Sequence, residues 1–200
     1  MGIVMEFYSV SDSNIERILE QPALIWRLIA RDELEVYEEA VRGQNKIGFF
    51  AKLLGKKAVA PADISDLEFA EGEGIGGEID KAWNGIHYCL NKTVDEAEPP
   101  MDFITIGGKE AGNIDVGYGP ARLFSSKQVK EINACLSEIS EDDFRNNYDP
   151  SDMEKLEIYP NIWERDGEEA LDYISEYYND LKSFISNCAK NNLGLAICLC

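Results

Sequence analysis

The sequence predicts an α+β domain, a small mixed sheet of about four strands covered by several helices, with a long C-terminal helix and a buried terminal strand. Three observations carry this expectation. Residues 2–8 are rich in Ile, Val, Phe and Tyr and alternate loosely, the pattern of an opening strand. Apolar stripes of helical period recur along the chain, the longest between about residues 166 and 190. The closing run 193–200 is apolar without alternation, which suits a strand covered on both faces in the middle of a sheet.

Each element has a local reason. Ser11-Asp12-Ser13-Asn14 supplies an N-cap and an acidic first turn for a helix carrying Ile15, Ile18 and Leu19. Pro22 restarts the chain, and Leu24, Ile25, Leu28, Ile29 and Leu34 repeat at helical spacing to about residue 42. From 43 to 77 this order fades into a Gly-, Pro- and acid-rich stretch, expected as a flexible insertion within one domain spanning 1–200. Within it Phe49, Phe50, Leu53 and Leu54 beside Lys52, Lys56 and Lys57 form a short basic amphipathic piece, expected as a docked surface helix.

Order returns with Ile79, Trp83, Ile86 and Leu90 on one helical face. Phe103-Ile104-Thr105-Ile106 before Gly107-Gly108 reads as a strand ending in a turn, followed by a Gly- and Pro-rich passage to Pro120. Ser125 and Gln128 form a capping box for a helix with Val129, Ile132, Leu136 and Ile139 inward. A short acidic helix follows around 141–147. Asp166 and Glu169 sign the start of the longest helix, which turns Leu171, Ile174, Tyr178, Leu181 and Ile185 to the core.

Composition excludes several functions. Thirty-eight acids against 19 bases leave a net charge of −19, a field that repels nucleic acid and anionic lipid and favours a basic protein partner. No stretch approaches the roughly 20 apolar residues of a membrane span, and the N-terminus lacks the features of a secretory signal. Five cysteines without a CxxC fit a reducing, cytoplasmic compartment. A single histidine rules out HExxH and multi-histidine zinc sites, so neither a metal nor another cofactor is expected. Gly72-Glu73-Gly74-Ile75-Gly76-Gly77 matches GxGxxG, yet no apolar strand precedes it, and Glu73, Glu78 and Asp80 stand where a pyrophosphate would sit.

Two constellations remain as candidate sites. On a helix, Asp80, Trp83, Asn84 and His87 fall three or four apart and bring a carboxylate, an indole, an amide and an imidazole into one strip. The strip could bind a polar ligand or move a proton through His87, but the expectation favours a structural role, with Asp80 capping the helix while Trp83 and His87 pack in the core. In the second, the glycines at 117 and 119 around Tyr118, with Pro120 before Arg122, set an unusual backbone path to a rare cation. Arg122 suits an anionic ligand or an internal acid, and Tyr159 and Trp163 could add an aromatic wall.

These motifs in their order, Asp80-Lys81-Ala82-Trp83 with His87, Gly107-Gly108, the run from Gly117 to Arg122, then Tyr159-Pro160 with Trp163, resemble the YfbM-like family of uncharacterised bacterial proteins. The resemblance covers nearly the whole chain apart from about 43–77 and implies a mixed α and β domain in a bacterial cytoplasm. It carries no activity, cofactor or catalytic residue to transfer.

The function expected from the residues is a non-enzymatic, acidic interaction protein, of immunity type against a basic partner, with acidic helices at 141–157 and 164–180 as its surface. The alternative is a small-molecule-binding or hydrolytic enzyme with His87 as base, Asp80 as its orienting carboxylate and Arg122 as an anion clamp.

Overall fold

The computed structural model describes residues 2–31, 33–44 and 66–200. Five strands form one sheet: β1 (Met5–Val10), β2 (Gly76–Glu78), β3 (Lys109–Asp115), β4 (Pro120–Phe124) and β5 (Gly194–Leu199), in the order β2-β1-β5-β4-β3. Every pairing is antiparallel, so neighbouring strands alternate in direction, and among the described residues the sheet has five strands where about four of mixed sense were expected. The terminal strand β5 is central, as its unbroken apolar run requires. Leu195 and Ile197 enter one core, whereas Ala196 and Cys198 enter the other.

Helices α1 (Asp12–Glu20), α2 (Ile25–Ile29) and α3 (Leu34–Gln44) cover the face bearing Val10, Leu123 and Cys198. The expected continuous helix from residue 23 is instead a 3-10 turn at 22–24, then α2, then α3, because Ala30 leaves helical backbone at φ −128. The opposite face, with Met5, Phe7, Phe124 and Leu195, packs under α4 (Trp83–Asn91), α5 (Ser126–Glu138) and α8 (Trp163–Lys190). Two short helices, α6 (Glu141–Asn146) and α7 (Pro150–Lys155), lie against α8. The α5 capping box forms as its sequence requires, and the α8 stripe from Leu171 to Ile185 is buried. Gly167 at φ 50 and ψ −116 separates the first turn of α8 from the long continuous rod.

A second correction concerns 101–124. Phe103 to Ile106 do not form a strand: Met101–Ile104 is a 3-10 turn with Phe103 and Ile104 both buried. The strands lie further on, in a β3–β4 hairpin whose β3 forms the sheet edge and carries Lys109, Glu110 and Asp115. Of the expected insertion, 45–65 and the basic amphipathic piece within them lie outside the described residues. Residues 66–78 run through a turn into β2, with Leu67 and Glu73 buried.

Candidate functional site

The strip, divided between a 3-10 turn at Asp80–Ala82 and α4, fans out to separate partners. Asp80, at φ 41, accepts from the Tyr173 hydroxyl at 2.9 Å, and the same hydroxyl accepts from the Lys81 amide at 3.2 Å. The Trp83 indole donates to the Ile3 carbonyl at 3.2 Å and stacks on Tyr159, whose hydroxyl accepts from the Ile3 amide at 2.7 Å. Asn84 is buried and bridges two loops, donating to the Val94 carbonyl at 2.6 Å and accepting from the Tyr159 amide at 2.9 Å. Trp163 is fully buried, its indole N–H on the Ile158 carbonyl at 2.7 Å, and its ring lies over Gly85. Trp83, Asn84, Tyr159 and Trp163 therefore do come together, as a clamp on the N-terminal segment and the 158–163 turn.

His87 faces elsewhere. Its ring is 0% exposed, with Nε2 3.2 Å from Thr93 Oγ1, and with Nδ1 3.3 Å from Asn91 Nδ2 and 3.4 Å from Thr105 Oγ1. Burial lowers its pKa, against the opposing pull of Glu96 and Asp95. Asp80 is engaged by Tyr173 and is not a hydrogen-bond partner of His87.

Arg122 is spent on backbone. Nη1 donates to the carbonyls of Phe103 at 2.9 Å and Gly107 at 2.8 Å, while Nη2 donates to Ile104 at 2.6 Å. These are carbonyls at the end of the 3-10 turn, which a planar guanidinium can collect at once. Burial brings the guanidinium down to about 10, so it stays charged at neutral pH. His87 and Arg122 thus brace the same 101–107 turn, one through Thr105 and the other through three carbonyls. Tyr118 stands exposed at the β3–β4 turn, where the Gly117 and Gly119 amides donate to Asp115 Oδ1.

The braced turn forms one wall of a cleft of about 630 Å³ facing α5. None of the eight residues singled out in the sequence lines it. Gly107 and Gly108 set the wall: a Cβ on Gly107 would lie 2.6 Å from Asp102 Oδ1, and one on Gly108, at φ +93, would lie 2.7 Å from the Phe124 ring. The glycine pair was legible as a motif, but its spatial partners were not.

The GxGxxG stretch holds its own anion. Glu73 is 7% exposed, and its carboxylate accepts from the amides of Ser11 at 2.5 Å and Ala70 at 2.7 Å and from Asn14 Nδ2 at 2.9 Å. The position a phosphate would take at the start of α1 is filled by this side chain. The start of α5 is closed likewise by Asp12, which accepts from the Ser126 amide and hydroxyl, both at 2.7 Å. Among the described residues no cluster of His, Cys, Asp or Glu is placed to hold a metal ion, and no helix is long and apolar enough to cross a membrane.

A three-layer fold whose conspicuous polar residues serve its own backbone defines a class by architecture, not by chemistry. The chain belongs to the DUF1877 family, a domain of unknown function, whose model matches residues 1–198. It is similar to the crystal structure of a protein of unknown function, YfbM from Escherichia coli, with a TM-score of 0.61 and 15% sequence identity over 98% of this chain and 99% of that one. At that identity the likeness is one of fold. No curated protein matches the chain.

Proposed function

We propose that this protein is a binding protein, not an enzyme, and that it engages a basic partner protein through one acidic face, as an immunity-type protein would. The observation that carries this reading is the charge of α6, α7 and the first half of α8. Residues 141–180 hold fourteen acids and three bases, more than half of the net charge of −19 in one-fifth of the chain. Because α6 and α7 both lie against α8, these acids are carried on three neighbouring helices. Of them Glu141, Asp142, Glu164, Glu168, Glu169, Asp172, Glu176 and Asp180 are exposed. Arg145, the cation between α6 and α8, is shared by Glu168 at 3.6 Å and Asp172 at 2.9 Å and offsets only part of this charge.

Such a field accelerates encounter with a cationic protein by roughly 10- to 1,000-fold at low salt, an advantage that salt removes. The opposite case, a His87 general base oriented by Asp80, finds no support in the geometry: the imidazole is fully buried and the carboxylate is bonded to Tyr173. All five cysteines are unpaired thiols, which suits the reducing cytoplasm in which this binding is proposed to occur. The test is affinity capture from a lysate of the source cells at low and moderate salt. A basic protein retained at low salt and released as salt rises supports the reading. Retained proteins that are acidic, or indifferent to salt, contradict it.

A further inference from the structure

We propose that the cleft between the 99–108 loop and α5 is a binding site for a small organic cation, an ammonium or guanidinium group carried on an apolar body. The volume, about 630 Å³, lies within the range of small-molecule sites. Its floor is apolar, made by the buried side chains of Phe124 and Ile132, with Pro100 at its side. Its polar side chains are few: the carboxylates of Asp102 and Glu131, which carry its only side-chain charge among the described residues, and the amide of Gln128, whose oxygen already accepts from the Ser125 amide and hydroxyl. No Lys, Arg or His is among the described residues that line it.

Of three competing sources of positive charge, two are committed elsewhere and the third is screened by water. Arg122 stands behind the wall and feels the charge of Asp102, but its N–H groups donate to the carbonyls of Phe103, Ile104 and Gly107. The N-terminus of α5, which would otherwise attract an anion, is closed by Asp12 and by the Ser125–Gln128 box. Lys127 is 3.8 Å from Glu131, one helical turn away, and both side chains are largely exposed, so water screens the pair. A ligand entering the cleft therefore meets two carboxylates and apolar surface, and the charge of the carboxylates selects a cation with an apolar body over an anion of the same shape.

The wall is also preorganised. Arg122 holds the 3-10 turn by three carbonyls, Asn91 Nδ2 donates to the Met101 carbonyl at 3.2 Å, and the Thr105 hydroxyl donates to the Asp95 carbonyl at 2.6 Å. Asp102 lies across Gly107, so its carboxylate is confined by the chain that forms the wall. A site held this way loses little entropy when a ligand arrives. The inference is independent of the acidic face, which is built from α6, α7 and α8.

Cys135 lines the cleft and is half-buried, so it reports on occupancy. The experiment follows iodoacetamide alkylation of Cys135, assigned by peptide mass spectrometry in the full chain, with three probes of one shape: phenethylamine, phenethyl alcohol and phenylacetate. At about millimolar concentration, the range expected of so small a ligand, phenethylamine slows alkylation at least about threefold and phenylacetate does not. Glu131→Gln and Asp102→Asn each weaken that protection while the thermal midpoint stays in place. If Asp102→Asn unfolds the chain, Glu131→Gln, on the exposed surface of α5, carries the test alone. Equal protection by all three probes, protection by none, or protection that survives Glu131→Gln overturns the proposal.

Discussion

The carboxylate of Glu73 and the side-chain amide of Asn14 meet at 2.9 Å in a buried contact, 59 residues apart in sequence. Through it, helix α1 is closed by an acid that arrives from the far side of the 45–65 segment. Burial pushes the Glu73 carboxyl up, but hydrogen bonds from Ser11, Ala70 and Asn14 together outweigh it and hold the group below its ordinary value. Its contribution to stability is therefore present above the ordinary carboxyl pKa of 4.5 and is lost as pH falls through the lowered folded value. Glu73→Gln keeps the shape and removes the charge. We expect a loss of about 1–3 kcal/mol at neutral pH in urea denaturation, and a shallower acid limb below about pH 4.5.

His87 gives a second, separate pH window. Its folded pKa is lowered, so the unfolded state binds the proton more readily. Stability is full above the ordinary value of 6.5 and declines as pH drops below it toward the folded value. The slope for one such site is up to about 1.4 kcal/mol per pH unit. His87→Gln is expected to lower stability at neutral pH yet flatten the dependence below about pH 6.5, read by urea midpoints from neutral pH downward. An unchanged slope would mean that His87 is not held neutral by the fold.

Arg122→Lys tests whether the guanidinium fork matters or only its charge. A lysine offers a single point donor and cannot reach the Phe103, Ile104 and Gly107 carbonyls together. Two or more orphaned acceptors cost about 1–3 kcal/mol each, so the variant is expected to unfold several degrees lower in a thermal scan. A thermal midpoint equal to wild type would show that the 101–107 turn stands without its clamp.

Gly85 lies in α4 directly beneath Trp163. Helix propensity alone favours Gly85→Ala by about 1 kcal/mol. An added Cβ would, however, lie 2.4 Å from the Trp163 ring, which is fully buried and cannot withdraw. Overpacking of this kind costs about 1–3 kcal/mol or more, so steric conflict wins and the variant is destabilised. Adding Trp163→Phe should make the alanine less costly than it is in wild type, which a double-mutant cycle by urea denaturation measures.

These contacts show what sequence reading could reach. The α5 capping box is local, Ser125 to Gln128, and its prediction needed no tertiary knowledge. The central place of β5 followed from an apolar run too continuous for a one-sided strand. The β3–β4 hairpin escaped because β3 is a polar edge strand whose hold comes from β4, and β4's from β5. Phe103 and Ile104 looked like a strand because two buried apolar neighbours satisfy either reading; the guanidinium of Arg122, 15 to 19 residues later, decides for the turn. The same distance hid the cleft, since Asp102, Phe124 and Glu131 share no local pattern.

The α6–α8 face carries the proposed partner site, and a matched pair of variants tests it most directly. One variant neutralises Glu164, Glu169, Glu176 and Asp180 on α8 to their amides; the other neutralises Glu16, Glu20, Glu33 and Glu35 to Gln, also exposed but in or beside α1 and α3. Both remove the same charge. Captured side by side with wild type from a lysate at low salt, the first is predicted to lose the basic partner and the second to keep it. Equal retention by both variants, or loss in both, would contradict a partner site on the α6–α8 face.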